Sequence, residues 1–214
     1  GTDTADYSAA GSGVVVNLGV VGLQNVGAGL GNDSFTAVEN ITGSAFSDTL
    51  SGNGGPNKLI GGDGHDILNG SDGNDVLVGG TGDDALHGGN DVDTADYSGA
   101  TGGVSVNLAN GGPQAVGGGQ GTDTLSDIEN LNGSGFDDTL EGNAGDNLLQ
   151  GNGGDDTLIA TAGSDTLDGG ANGINGDIAD FRNATSGVTV DLGLAPQDLT
   201  ASGLGLLTVT GIEN

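Results

Sequence analysis

A nine-residue pattern, repeated in register, constrains this chain more than any other feature. Gly61-Gly62-Asp63-Gly64-His65-Asp66-Ile67-Leu68-Asn69 is followed at once by Gly70-Ser71-Asp72-Gly73-Asn74-Asp75-Val76-Leu77-Val78. Gly79-Gly80-Thr81-Gly82-Asp83-Asp84-Ala85-Leu86-His87 comes next. Carried backwards, the register puts Asn57 and Asp48 at the sixth position and Leu59 and Leu50 at the eighth. Carried forwards, it reaches Gly88-Gly89 and Asp93. A second array has Asp138, Asn147, Asp156 and Asp165 at the sixth position, with Leu140, Leu149, Leu158 and Leu167 at the eighth. Six residues of Gly, Asp and Asn suit neither a helix nor a strand interior; they form a turn. The remaining x-Leu-x is a short strand with its central side chain pointing one way. Two nonapeptides therefore make one coil of strand, turn, strand and turn. No repeat buries its Leu alone, so coils must stack, enclosing the Leu rows between two parallel sheets. The expected fold is an all-β parallel β-roll, or β-solenoid.

A second kind of unit separates the arrays. Asp3-Thr4-Ala5-Asp6-Tyr7-Ser8 returns unchanged as Asp93-Thr94-Ala95-Asp96-Tyr97-Ser98, and loosely as Asp177-Ile178-Ala179-Asp180-Phe181. Each copy leads into an alternating segment (Val14/Val16/Leu18, Val104/Val106/Leu108, Val188/Val190/Leu192) and closes on a Glu-Asn pair, Glu39-Asn40, Glu129-Asn130 or Glu213-Asn214. The expected division is a unit of this linker type over 1–42, nonapeptides over 43–92, a linker unit over 93–132, nonapeptides over 133–176 and a third linker unit over 177–214. These are expected to continue one solenoid with longer loops. The ends read as cuts from a longer array.

Charge then asks what fills the turns. The chain has 30 acidic residues against 2 basic ones, a formal net charge of -28. Such a balance disfavours nucleic acid, whose phosphates need Lys and Arg, and disfavours anionic membrane surfaces. No apolar run is long enough for a transmembrane helix, so no membrane insertion is expected. Stacking places Asp48, Asp66 and Asp84 above one another on one side, with Asp75 and Asp93 on the other. At the coil spacing of about 4.8 Å, two carboxylates repel by roughly 0.9 kcal/mol in water and by several at an effective dielectric of about 20. Lys58 and Arg182 are the only fixed positive charges. A hard divalent cation is the natural counter-charge. Ca²⁺ takes 6–8 carboxylate and carbonyl oxygens, whereas Mg²⁺ demands a tighter octahedron. Zn²⁺ and Cu²⁺ prefer nitrogen and sulfur, for which there are only His65, His87 and no Cys.

The motif Gly-Gly-x-Gly-x-Asp-x-Leu-x, matched at every fixed position by residues 61–69 and 79–87, resembles the RTX (haemolysin-type) calcium-binding repeat. The resemblance implies a right-handed parallel β-roll. Each Ca²⁺ would be held between loops one coil apart by the sixth-position Asp and loop carbonyls. The candidate metal-binding residues are Asp48, Gly61, Asp63, Gly64, Asp66, Gly70, Asp72, Gly73, Asp75, Gly79, Gly82, Asp84, Asp93, Asp138, Gly151, Asp156 and Asp165. Together they would hold roughly 4–7 calcium ions. Asp63 and Asp72 are expected to offer carbonyls, with their carboxylates facing water. The resemblance also implies type I secretion, with folding outside the cell.

Several positions depart from the pattern. Asn57 and Asn147 stand where Asp is usual and predict weak or absent calcium binding. Ala160 replaces the first Gly of its repeat, and the register breaks after Gly169-Gly170, which puts the last site in doubt. Glu39 and Glu129 reach the sixth position only by extrapolation and read as poorer ligands. Asp6 and Asp96 read as turn residues; Tyr7, Tyr97 and Phe181 as core aromatics; His65 and His87 as exposed fillers. No His-Glu-x-x-His, Gly-x-Ser-x-Gly or P-loop pattern occurs, so no enzyme chemistry is expected. The leading function is a calcium-folded structural module of an extracellular adhesin, surface-layer or toxin-like protein. The alternative is the non-catalytic part of a secreted protease, lipase or epimerase. Ice binding would need a regular Thr/Asn row, and the third position reads Asp63, Asp72, Thr81. The expected partners are calcium ions and flanking repeats, with exposed coil ends offering a route to self-association.

Overall fold

Within each of two units, two parallel sheets enclose buried rows of aliphatic side chains. The structure, a computed structural model, describes residues 1–187, 197–198 and 202–213. The segment Val188/Val190/Leu192 and Asn214 of the third closure lie outside the described residues. The chain forms two units: Gly1–Asp96 with Gly111–Ala115 and Gly119–Ile128, and Tyr97–Asn110 with Val116–Gly118 and Glu129–Asn214.

In the first unit one sheet runs Thr4–Asp6, Asn40–Thr42, Lys58–Asp63, Val76–Thr81 and Thr94–Asp96, each strand parallel to the next. The other runs Val15–Asn17, Thr49–Ser51, Ile67–Asp72, Ala85–Asn90 and Thr122–Ser126, again all parallel. The register stacks Leu on Leu: Ile41, Leu59, Leu77 and Ala95 form one row, and Val16, Leu50, Leu68, Leu86 and Leu125 the other. All of these are buried. The second unit repeats the plan. Asn130–Asn132, Leu148–Gln150, Thr166–Asp168 and Leu206–Thr210 are parallel in one sheet. Ser105–Asn107, Thr139–Glu141, Thr157–Ile159 and Ile178–Asp180 are parallel in the other.

Within each unit the linker-type segments thus donate strands to the same sheets as the nonapeptides. Their longer loops differ from the expected continuous parallel solenoid. Gln24–Asn25 pairs antiparallel with Asn32–Asp33, and Gln114–Ala115 antiparallel with Thr122–Ser126. Excursions too long for a turn thus fold back as hairpins.

The strands of the first array are also longer than x-Leu-x. Lys58–Asp63, Val76–Thr81 and Ala85–Asn90 continue through the Gly pair, and Ile67–Asp72 through Gly70-Ser71. The cause is close main-chain approach: a Cβ placed on Gly80 would lie 1.9 Å from the carbonyl oxygen of Gly62. Only glycine fits there, and Gly62 pairs with Gly80 in the ladder.

Of the aromatics, Tyr97 is buried as expected. Tyr7 and Phe181 are only half-buried, and the Tyr7 hydroxyl donates to Asp33 Oδ2 at 2.8 Å. His65 is exposed as expected, whereas His87 is half-buried with Nδ1 2.6 Å from Ser126 Oγ. Among the described residues no helix is long and apolar enough to cross a membrane.

Candidate calcium-binding loops

Every nonapeptide turn delivers its sixth side chain inward, where one carboxylate oxygen is used by the fold. The main-chain N–H of Asp48 donates to Asp66 Oδ1 at 2.7 Å, that of Asp66 to Asp84 Oδ1 at 2.8 Å, and that of Asp84 to Asp123 Oδ1 at 3.1 Å. On the other side Asn57 N–H donates to Asp75 Oδ1 at 2.7 Å, and Asp75 N–H to Asp93 Oδ1 at 2.8 Å. In the second unit the N–H groups of Asp138, Asn147 and Asp156 donate to Oδ1 of Asp156, Asp165 and Asp177. These bonds fix each carboxylate in a ladder running from coil to coil.

The second carboxylate oxygen separates the loops into two kinds, and the backbone of the second loop residue decides which. Gly62, Ser71, Gly80, Gly89, Asn152 and Gly170 all have positive φ. Their loops carry Asp66, Asp75, Asp84, Asp93, Asp156 and Asp177 at the ladder position. In five of them, Asp66, Asp75, Asp84, Asp156 and Asp177, Oδ2 is buried and accepts no hydrogen bond. A buried carboxylate oxygen with no donor is costly, so these are places where a cation is wanted. Ser71 at φ 87° and Asn152 at φ 72° hold the left-handed form without being glycine, at a cost of about 1–2 kcal/mol each.

In the other loops the second residue turns its own N–H onto the sixth side chain. Ser44 N–H donates to Asp48 Oδ2 at 2.5 Å and its hydroxyl to Asp48 Oδ1 at 2.9 Å. Ser134 treats Asp138 the same way, at 2.6 Å and 2.7 Å. Thr161 N–H reaches Asp165 Oδ2 at 3.1 Å. Asn53 and Asn143 donate to the Oδ1 atoms of Asn57 and Asn147 at 2.7 Å and 2.8 Å. The candidate ligands Asp48, Asp138 and Asp165 therefore already have their outer oxygens occupied by protein donors.

What surrounds the unpaired oxygens suits a hard cation. A Cβ on Gly61 would lie 2.2 Å from Asp66 Oδ2 and 2.6 Å from the Gly79 carbonyl oxygen one coil on. The same pairing recurs beside Gly70 (Asp75 Oδ2 and Gly88 O), Gly151 (Asp156 Oδ2 and Gly169 O) and Gly169 (Asp177 Oδ2 and Gly211 O). The missing side chain of the first Gly leaves a cradle into which a carboxylate and a carbonyl oxygen converge, the donor set of Ca²⁺. Beside Gly79 the Asp84 carboxylate makes the closest approach, with Oδ2 at 2.4 Å from the same point. No group of three or more acidic or His side chains gathers as a metal cluster among the described residues; a cation here would lean on main-chain oxygens. Gly64, Gly73 and Gly82, at the fourth position, let one loop rest directly on the backbone of its neighbour. The Asp63 and Asp72 carboxylates lie outside, accepting from Thr81 Oγ1 and Asn90 Nδ2 at 2.7 Å each.

Burial raises sixth-position carboxyls in both kinds of loop, Asp138 and Asp165 among them. Burial pushes Asp66 up to about 7, with Asp84 and Asp48 adding to the rise while the Asp48 N–H opposes it. Burial likewise pushes Asp156 to about 7 and Asp75 to about 6, and raises Asp84 and Asp177. The two basic side chains are engaged elsewhere: Lys58 Nζ lies 3.6 Å from Asp96 Oδ2, and Arg182 pairs with Asp180. Neither reaches a sixth-position carboxylate.

Two ladder residues escaped the sequence reading. Asp177 regains the register after three additional residues. The enlarged loop wraps Asp155, whose carboxylate accepts the N–H groups of Ile174, Asn175 and Gly176. Those bonds hold Asp155 below the usual carboxylate range. Asp123 sits 39 residues beyond Asp84, at the sixth position of Gly118-Gly119-Gln120-Gly121-Thr122-Asp123-Thr124-Leu125-Ser126, which carries the whole nonapeptide motif. Glu39 does join the ladder, but as an acceptor: its Oε2 takes the N–H of Asp3 at 2.8 Å. Asp6 is a turn residue, accepting the Ser8 N–H at 2.9 Å.

No curated protein matches the chain significantly. The family model described as the RTX calcium-binding nonapeptide repeat matches it in four copies, over residues 42–77, 69–98, 132–167 and 150–172. Those segments cover most of both arrays and the loops with unpaired carboxylate oxygens at Asp66, Asp75, Asp84 and Asp156, and the chain carries RTX calcium-binding nonapeptide repeats, a family whose fold is the parallel β-roll.

Proposed function

We propose that this chain is a calcium-dependent folding module of a secreted or cell-surface protein, built to remain unfolded where calcium is scarce and to set into stacked β-coils where it is abundant. The observation that carries the reading is the recurrence of a buried carboxylate oxygen without a donor beside a carbonyl from the next coil. An empty roll buries unneutralised charge at each such place; a filled one gains ligand bonds there between successive coils. The loops with a left-handed second residue are the sites, giving about six ions. Asp66, Asp75, Asp84, Asp93, Asp156 and Asp177 are the carboxylate ligands, and the carbonyls of Gly79, Gly88, Gly169 and Gly211 stand beside the carboxylates of Asp66, Asp75, Asp156 and Asp177.

The module itself performs no chemistry. Its parent is read as an adhesin, surface-layer or toxin-like protein exported by type I secretion. A catalytic domain elsewhere in the parent would make it the tail of a secreted enzyme. Flanking repeats stack on the coil ends, and in isolation those ends pair with another copy. Equilibrium dialysis of chelator-stripped protein against Ca²⁺, with Mg²⁺ as competitor, tests the proposal. About six ions bound and insensitivity to Mg²⁺ are expected; fewer than two, or equal displacement by Mg²⁺, would overturn it.

A further inference from the structure

The loops over 52–57 and 142–147 show what the chain does where it lacks a sixth-position carboxylate. Asn57 Oδ1 occupies the place an aspartate gives to Oδ2, 2.2 Å from a Cβ built on Gly52, with the Gly70 carbonyl at 2.4 Å. Asn147 Oδ1 stands 2.3 Å from the same point on Gly142. The amide nitrogen then supplies what a cation otherwise would. Asn57 Nδ2 donates to the Glu39 carbonyl at 2.6 Å, and Asn147 Nδ2 to the Glu129 carbonyl at 2.8 Å.

The residue that follows each Glu alters the main-chain pairing beside these carbonyls. In ordinary coils the sixth-position carbonyl takes the N–H of the seventh residue one coil on, as Asp48 O takes Ile67 N–H and Asp66 O takes Ala85 N–H. Here the seventh-position N–H groups, those of Lys58 and Leu148, go instead to the Oδ1 atoms of Asn40 and Asn130, at 3.0 Å each. The Asn of each Glu-Asn closure diverts one donor, and the Glu carbonyl receives the amide. The opposite turn of each coil is closed too, by Ser44 on Asp48 and Ser134 on Asp138.

We propose that the coils 43–60 and 133–150 are metal-free, latched by Asn57 and Asn147, and that the closures Glu39-Asn40 and Glu129-Asn130 complete these latches. An amide brings donors without net charge, so the Asn57 and Asn147 turns lack the repulsion and the cation requirement of the neighbouring turns, and each coil keeps one buried carboxylate, Asp48 or Asp138, covered by serine donors. Each array therefore opens on a coil that keeps its register in chelator, a template onto which calcium-filled coils stack.

The inference rests on the calcium reading above only for its ion count. The test uses the full chain and two readouts. Asn53→Gly with Asn57→Asp restores a flexible second residue and a carboxylate; equilibrium dialysis is expected to find one more Ca²⁺ than in the wild type. Hydrogen exchange of wild-type protein in chelator is expected to run about tenfold slower over 43–60 and 133–150 than over 61–93. An unchanged ion count in a double variant that folds, or equally fast exchange of both regions in the wild type, would overturn the latch. Absence of any bound calcium in the wild type would instead sink the proposed function, leaving the exchange result to judge the latch.

Discussion

Asp75→Asn should change sign with calcium. Asp75 is 1% exposed; its Oδ1 accepts the Asn57 N–H at 2.7 Å, and its Oδ2 accepts nothing. Burial holds its carboxyl up to about 6, so at pH 7.5 it is ionised and uncompensated when calcium is absent. Asparagine keeps an acceptor for Asn57 and removes the charge, so in chelator the variant should be more stable than the wild type. In calcium it lacks one ligand. At a free concentration about 100-fold above the dissociation constant, one lost ion removes about 2.7 kcal/mol. Asp75→Ala is the control: it strands a buried N–H, costing about 1–3 kcal/mol with or without calcium. Urea unfolding followed by far-UV circular dichroism reads both conditions, with sucrose added in chelator to hold the fold. If Asp75→Asn lost equal stability in both, or none in calcium, the unpaired oxygen would not be a ligand.

Three further outcomes follow from the same geometry. In chelator the folded state carries carboxyls at about 7 (Asp66, Asp156) and about 6 (Asp75), above the ordinary carboxylate value of the unfolded chain. It therefore binds more protons than the unfolded state between about pH 4 and 7. Its stability should rise on acidification through that window, while the calcium needed for half-folding rises too; a chelated protein that loses structure between pH 7 and 5 would contradict this. Ser71→Gly relieves a left-handed serine and should stabilise the calcium form by about 1 kcal/mol, seen as a lower calcium midpoint. Leu77→Ala opens a fully buried row between Leu59 and Ala95 and should cost about 2–5 kcal/mol in urea denaturation with calcium present.

The coil, its two sheets and the Leu rows were legible because a nine-residue period fixes where each side chain points. The sixth-position ladder was legible for the same reason. The division of that ladder was not, because it turns on one backbone angle that residue type does not dictate. Ser71 is left-handed and leaves Asp75 bare, whereas Ser44 is not and covers Asp48. The difference lies in Ser44 Oγ, which accepts the Phe46 N–H at 3.2 Å and donates to Asp48; in the Ser71 loop the corresponding fourth residue is Gly73. Asn152 and Asn53 diverge likewise. Asp177 was hidden by a three-residue insertion that only the wrapped Asp155 explains. Asp123 could have been found, since its nonapeptide is complete, but it lies beyond a long excursion that carries no register.

The measurement that bears most directly on the account is a calcium titration of chelator-stripped protein followed by far-UV circular dichroism, with Mg²⁺ in parallel. Buried, unneutralised carboxylates predict a cooperative rise of β signal with Ca²⁺ alone, from a spectrum retaining at most a small latched fraction. A fully formed β spectrum in excess chelator, unchanged by Ca²⁺, would contradict the claim that these loops need the ion to fold.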